Sequence, residues 1–146
     1  MSDTASIVPL SAHLKTLYAS ACRTVCLEYG LSQTEFDILD VLSSDIGYDT
    51  AAQISRVRYI KKANVSTAVD RLIDKGLIDK RGDKRDKRVI HLMLTESSSD
   101  VVSAIKNAQT AFSNMLKETL TELEIKTLTE LIEKLLCSAP TVCGEC

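Results

Sequence analysis

The spacing of apolar residues changes period at Gly76, and that change narrows most what this chain can fold into. From Lys62 to Lys75, Val65, Val69, Leu72 and Ile73 recur at steps of three and four, which predicts a helix with one inward face. Lys61 and Lys62 stand where Ser, Thr or Asp would cap that helix, so its start is poorly capped. Beyond Gly76, Leu77 to Lys80 predicts a strand. The run RGDKRDK predicts a charged turn with Gly82 at a tight bend, and Val89 to Leu94 alternates as a second strand. A helix followed at once by a two-stranded basic hairpin is the layout of a wing.

Helical spacing returns on both sides. Leu10, Leu14, Leu17, Tyr18, Ala21 and Val25 predict a helix from about Pro9 to Tyr29, stopped by Gly30. Ser32-Gln33-Thr34-Glu35 is a capping box that opens a helix with Phe36, Leu39 and Leu42 inward, ended by Gly47. Thr50-Ala51-Ala52-Gln53 is a second box, opening a short helix to about Val57. Downstream, Val101, Ile105, Ala108, Phe112, Met115 and Leu116 form a stripe. Thr121 to Glu124 is a third box, and the helix it opens carries Leu128, Leu131, Ile132, Leu135 and Leu136.

The fold class expected is mainly α with a small β-hairpin wing: a winged helix-turn-helix flanked by N- and C-terminal dimerisation helices. A chain of 146 residues fits one domain. The expected division is a lobe over 31–96, flanking helices over 5–30 and 97–138, and a cysteine-containing tail over 139–146. The small lobe offers little surface to cover roughly 60 residues of amphipathic helix, which points to a homodimer. No run of eighteen apolar residues suggests a membrane span. The N-terminus lacks the basic-then-apolar pattern of a leader, so the cytoplasm is the expected compartment.

The net charge of −2 hides an asymmetry. Arg56 to Arg88 holds twelve basic and five acidic residues, a local surplus of seven, which leaves −9 for the remainder. Such a block attracts a polyanion. In a helix-turn-helix the second helix enters the major groove, about 12 Å wide, while a wing reaches phosphates or the flanking minor groove. Double-stranded DNA is therefore the expected partner.

The stretch Gly30 to Thr95 resembles the MarR (multiple antibiotic resistance regulator) family. The resemblance is carried by GLSQTEFDILDVL, VDRLIDKGLI and GDKRDKRVIHLMLTE, with Val69-Asp70-Arg71-Leu72, Gly76-Leu77-Ile78, Asp83, Asp86, Arg88 and Leu94-Thr95 at the family's spacing. It implies an obligate dimer on a pseudo-palindromic operator, with repression relieved by an effector that moves the two DNA-binding lobes. Lys61, Lys62, Asn64, Ser66 and Thr67 then fall at major-groove positions, Asn64 suited to an adenine edge and the lysines to guanine or phosphate. Asp86 and Arg88 match the family's wing pair, in which the acid orients an arginine entering the minor groove. Lys84, Arg85 and Lys87 are expected on phosphates, and Arg71 either on phosphate or bracing the wing. The chain has Lys84 where the family often has Pro, and Ser98 where it usually has Gly.

Five cysteines lie outside the basic stretch: Cys22 and Cys26 on one helix face, Cys137, and Cys143 with Cys146 in a C-x-x-C. Three readings stay open: inert thiols, a redox switch, or a thiolate metal site, most simply zinc. The effector is correspondingly a small aromatic ligand, an oxidant or a metal, and no cofactor is needed for DNA binding. The alternative function is a thiol-based redox or metal-handling protein whose basic span is only a solvated surface. No nucleophile triad, phosphate-cradling Gly loop or paired-carboxylate signature supports an enzyme, and none is expected.

Overall fold

The computed structural model describes residues 7–138. Its order is α1 (Ile7–Glu28), α2 (Gln33–Ser43), α3 (Ala51–Arg58), α4 (Lys62–Asp74), β1 (Ile78–Gly82), β2 (Ile90–Leu94), α5 (Ser99–Thr119) and α6 (Glu122–Ser138), with a short 3-10 turn at Glu96–Ser98. The fold is mainly α with one antiparallel hairpin, as the change of period at Gly76 predicts.

All three capping boxes form. Ser32 Oγ accepts from Glu35 N at 3.2 Å while Glu35 Oε2 accepts from Ser32 N at 2.7 Å. Thr50 and Gln53 do the same at α3, and Thr121 and Glu124 at α6. Each box satisfies two backbone donors that a helix start would otherwise leave bare. α4 starts without a side-chain cap, as its lysines imply. It ends at Gly76, whose φ of 70° lets Leu77 N turn back to Leu72 O at 3.0 Å.

Two expected boundaries are corrected. α2 stops at Ser43, short of Gly47, because the Ser44 hydroxyl and N–H both return to Val41 O. Gly82 is not the bend: it is the last residue of β1, paired with Ile90, and the turn lies beyond it.

The core gathers Phe36, Ile38 and Leu39 of α2, Ile54 of α3, Val65 and Leu72 of α4, Ile78 and Leu92 of the hairpin, and Val101 and Ile105 of α5. Burying each such side chain contributes about 1.5–3 kcal/mol. α1 adds Cys22 and Val25 near its C-terminal end. α6 buries none of its residues from Glu122 to Cys137, and the apolar side chains of its face stand exposed, Leu131 at 54% and Leu135 at 60%. No helix of the described residues is long and apolar enough to cross a membrane.

Candidate nucleic-acid interface

α4 packs with Val65, Ala68, Val69 and Leu72 inward. That register turns Lys61, Lys62, Asn64, Ser66, Thr67 and Arg71 outward together, all exposed. The Thr67 hydroxyl donates back to Ala63 O at 3.0 Å, so its methyl is the part left to face a partner. The α3–α4 turn passes through Tyr59, in the left-handed region at φ 54°, a conformation costing a non-glycine residue about 1–2 kcal/mol. Ser55 braces that turn, its hydroxyl donating to Ile60 O at 2.6 Å while its carbonyl accepts from Ile60 N.

The hairpin pairs from Ile78 with Leu94 to Gly82 with Ile90. At its tip two aspartates hold the backbone. Asp83 Oδ1 accepts from Arg85 N at 2.7 Å and Asp86 N at 2.9 Å, and Asp86 Oδ1 accepts from Arg88 N at 3.0 Å. The Asp86 carboxylate thus meets the main chain of Arg88 and sets the turn that presents its guanidinium. Lys84, Arg85, Lys87 and Arg88 are exposed around this tip. The turn is ordered by carboxylate acceptors without the family's proline. Ser98 is equally compatible: its φ of −85° is ordinary for any residue, and its buried hydroxyl donates to Thr95 O at 2.7 Å.

The structure sorts the basic stretch. Lys75 Nζ turns inward to Glu35 Oε2 at 2.8 Å and Gly30 O at 2.6 Å. Arg58 pairs with Asp40. Lys80 of β1 meets Asp70 of α4 at 3.0 Å, an exposed pair that links α4 to the wing. The outward face of α4 keeps Lys61, Lys62 and Arg71 and the wing tip keeps Lys84, Arg85, Lys87 and Arg88, a geometry suited to a groove and its flanking phosphates, while Arg56 lies on α3 and Arg81 within β1.

Two polar clusters have no counterpart in the sequence reading. At the junction of α1, α2, α3 and α5, Gln109 Nε2 donates to Tyr18 Oη at 2.7 Å and Asp40 Oδ2 at 3.3 Å. Gln33 Nε2 donates to Asp37 Oδ1 at 3.1 Å, and the Tyr18 and Phe112 rings meet edge-on at 5.3 Å. Burial pushes the carboxyls of Asp37 and Asp40 and the Tyr18 hydroxyl above their ordinary ranges, opposed at Asp40 by Arg58. At the wing, His91 lies between two carboxylates, Nδ1 to Asp49 Oδ2 at 2.9 Å and Nε2 to Asp83 Oδ2 at 3.0 Å. Its partners are 42 and 8 residues away, so no local spacing signals either contact.

Cys22 is buried, Cys26 half-buried and Cys137 exposed. Burial raises the thiols of Cys22 and Cys26 above their ordinary value, which favours the protonated, less reactive form. Among the described residues no group of three or more His, Cys, Asp or Glu is placed to hold a metal. Cys143 and Cys146 lie outside the described residues.

Comparison with known proteins agrees with this geometry. The MarR family pattern matches residues 29–89. An uncharacterized HTH-type transcriptional regulator of Bacillus subtilis, YpoP, is 28% identical over 109 residues, covering 75% of this chain and 77% of that protein. The crystal structure of a MarR/EmrR family transcriptional regulator from Acinetobacter sp. ADP1 superposes with a TM-score of 0.74 at 27% identity, over 89% of this chain and 91% of that one. NadR in complex with 4-hydroxyphenylacetate shares the fold, with a TM-score of 0.77 at 18% identity over 92% and 95% of the two chains.

Proposed function

We propose that this chain, whose residues 29–89 match the MarR family of DNA-binding transcriptional regulators, acts as a homodimeric repressor on a pseudo-palindromic duplex operator. One observation carries the reading: α4 exposes Lys61, Lys62, Asn64, Ser66, Thr67 and Arg71, and the wing tip exposes Lys84, Arg85, Lys87 and Arg88. Base edges meet Asn64, Ser66 and Thr67, guanine or phosphate meets Lys61 and Lys62, phosphate meets Arg71, and phosphates or the minor groove meet the wing set. The exposed apolar face of α6 supports the dimer, since an amphipathic helix is stable where its apolar stripe is covered.

Release follows when an effector shifts the lobe against the flanking helices. Of the aromatic, oxidant and metal classes, a small aromatic ligand is best supported. The fold neighbour NadR carries an aromatic acid, and the Tyr18–Asp40–Arg58–Gln109 cluster lies where lobe and flanking helices join. The protonation-favouring burial of Cys22 and Cys26 supports inert thiols over a redox switch.

Selection of bound duplexes from a random-sequence pool, followed by fluorescence anisotropy across a salt series, tests the proposal. The expected consensus is pseudo-palindromic, with log affinity falling linearly against log salt. Arg88→Ala and the Lys61→Ala/Lys62→Ala pair should each cost about 1–3 kcal/mol of binding. Affinity unchanged by both sets of substitutions would overturn the assignment.

A further inference from the structure

His91 sits on β2 with each ring nitrogen against a different carboxylate, Asp49 from the α2–α3 loop and Asp83 from the wing turn. A neutral imidazole has one N–H and one lone pair, so it donates to only one of them. Both contacts are hydrogen bonds only when the ring is the imidazolium. From this geometry we propose that His91 is a proton-dependent clip that positions the wing for duplex binding, so that affinity falls as pH rises and the clip loses its proton.

The connections on either side give the clip its reach. Asp83 Oδ2 takes the imidazole while Oδ1 of the same carboxylate holds the N–H groups of Arg85 and Asp86, so the tip geometry and the clip share one side chain. Asp49 accepts from Leu92 N through its carbonyl at 2.7 Å and donates its own N–H to Gln53 Oε1 at 3.1 Å. Thr50, the cap of α3, forms a β-bridge with His91 itself. Strand β2, the wing turn and the start of α3 therefore meet at this ring. When one nitrogen loses its proton, one carboxylate faces a lone pair, and the wing or the loop must move away.

The other charged groups around the ring set the direction. Arg81 is the cross-strand partner of His91, and Lys84 lines the same shallow depression with Asp49 and Asp83. These cations oppose protonation, and the two carboxylates favour it. Hydrogen bonds to Asp49 and Asp83 raise the imidazole above its ordinary value, while the Asp86 and Arg85 N–H groups and His91 hold Asp83 down at about 2. Asp83 therefore stays anionic wherever His91 titrates. A raised folded-state value makes the contribution complete below the unfolded value, near 6.5, and lost as pH rises through the folded-state value above it. The ring is partly exposed, so its proton exchanges with solvent.

The inference rests on the wing being a duplex contact, but the clip can be read without DNA. Nitrogen-15 imidazole spectra of the full chain, with the His91 signal identified by its loss in His91→Gln, should show both ring nitrogens protonated at about pH 6 and a midpoint above the ordinary histidine value. The amides of Asp83, Asp86, Arg88 and Val89 should shift with that same midpoint, and Asp49→Asn should lower it. On a duplex selected from a random pool, wild-type affinity should fall on the order of threefold or more between about pH 6 and about pH 8, whereas His91→Gln should stay flat across that range. A single protonated nitrogen at the acid end, a midpoint at or below the ordinary value, or wing amides that ignore the titration would each overturn the clip. A clip that titrates as described in a chain that binds no duplex would instead remove the proposed function.

Discussion

Lys75 belongs to the basic stretch by sequence, yet its ammonium is already paired with a buried carboxylate and a backbone carbonyl. Glu35 is 1% exposed, and its carboxylate serves both the Ser32 cap and Lys75. The ammonium also reaches Gly30 O, so one side chain ties the end of α4 to the α1–α2 corner. Removing it leaves a buried carboxylate without its cation, which costs more than losing a surface pair. Lys75→Met should destabilise the fold by about 2 kcal/mol in urea unfolding, while duplex affinity measured well below the midpoint stays near wild type. Charge counting cannot separate Lys75 from Lys84, because the two differ only in what the fold places beside them. His91 teaches the same point: its role depends on carboxylates brought in from a distant loop and a turn.

The helix starts were legible because capping is local. Ser32 and Glu35, Thr50 and Gln53, and Thr121 and Glu124 each close a box within four residues, and the structure forms all three. The missing cap at Lys61 was legible for the same reason, and it exposes a trade at α4. Lys61→Asp supplies a side-chain acceptor and a favourable charge at the helix start, and should stabilise the protein by about 1 kcal/mol. In the proposed duplex complex the same change puts a carboxylate where Lys61 would meet guanine or phosphate, and should weaken binding about tenfold or more. Thermal melts and anisotropy on one preparation should therefore move in opposite senses, and a melt that does not rise would contradict the capping argument. The hairpin was legible as an element but not in its register. Gly82 looks like a bend by composition, but cross-strand pairing with Ile90 makes it strand and passes the turn to Asp83 and Asp86.

At the scale of the whole molecule, the core of the lobe closes on itself while the apolar faces of α1 and α6 do not. Leu10 and Leu17 on α1 are at least half exposed, as are Leu131 and Leu135 on α6. A second copy covers such a face in the proposed dimer, and a dimer holds two recognition helices against one duplex. Leu131→Asp/Leu135→Asp should give a monomer by analytical ultracentrifugation with helical circular dichroism of the lobe retained. Its duplex affinity should fall by about 10²–10⁴, the loss expected when two linked contacts become one. A double variant that still sediments as a dimer would move the interface elsewhere.

The sequence by itself determined the helices, their capped starts, the wing after Gly76 and the resemblance to the MarR family, because apolar periodicity, capping boxes and the wing motif act over a few residues. It also determined which stretch carries the positive charge. Only the tertiary structure decided which of those charges are already paired, because Asp40, Glu35 and Asp70 reach Arg58, Lys75 and Lys80 across elements. Only it joined His91 to Asp49 and Asp83, and Tyr18 to Gln109, since side chains far apart along the chain meet by packing and leave no spacing to read.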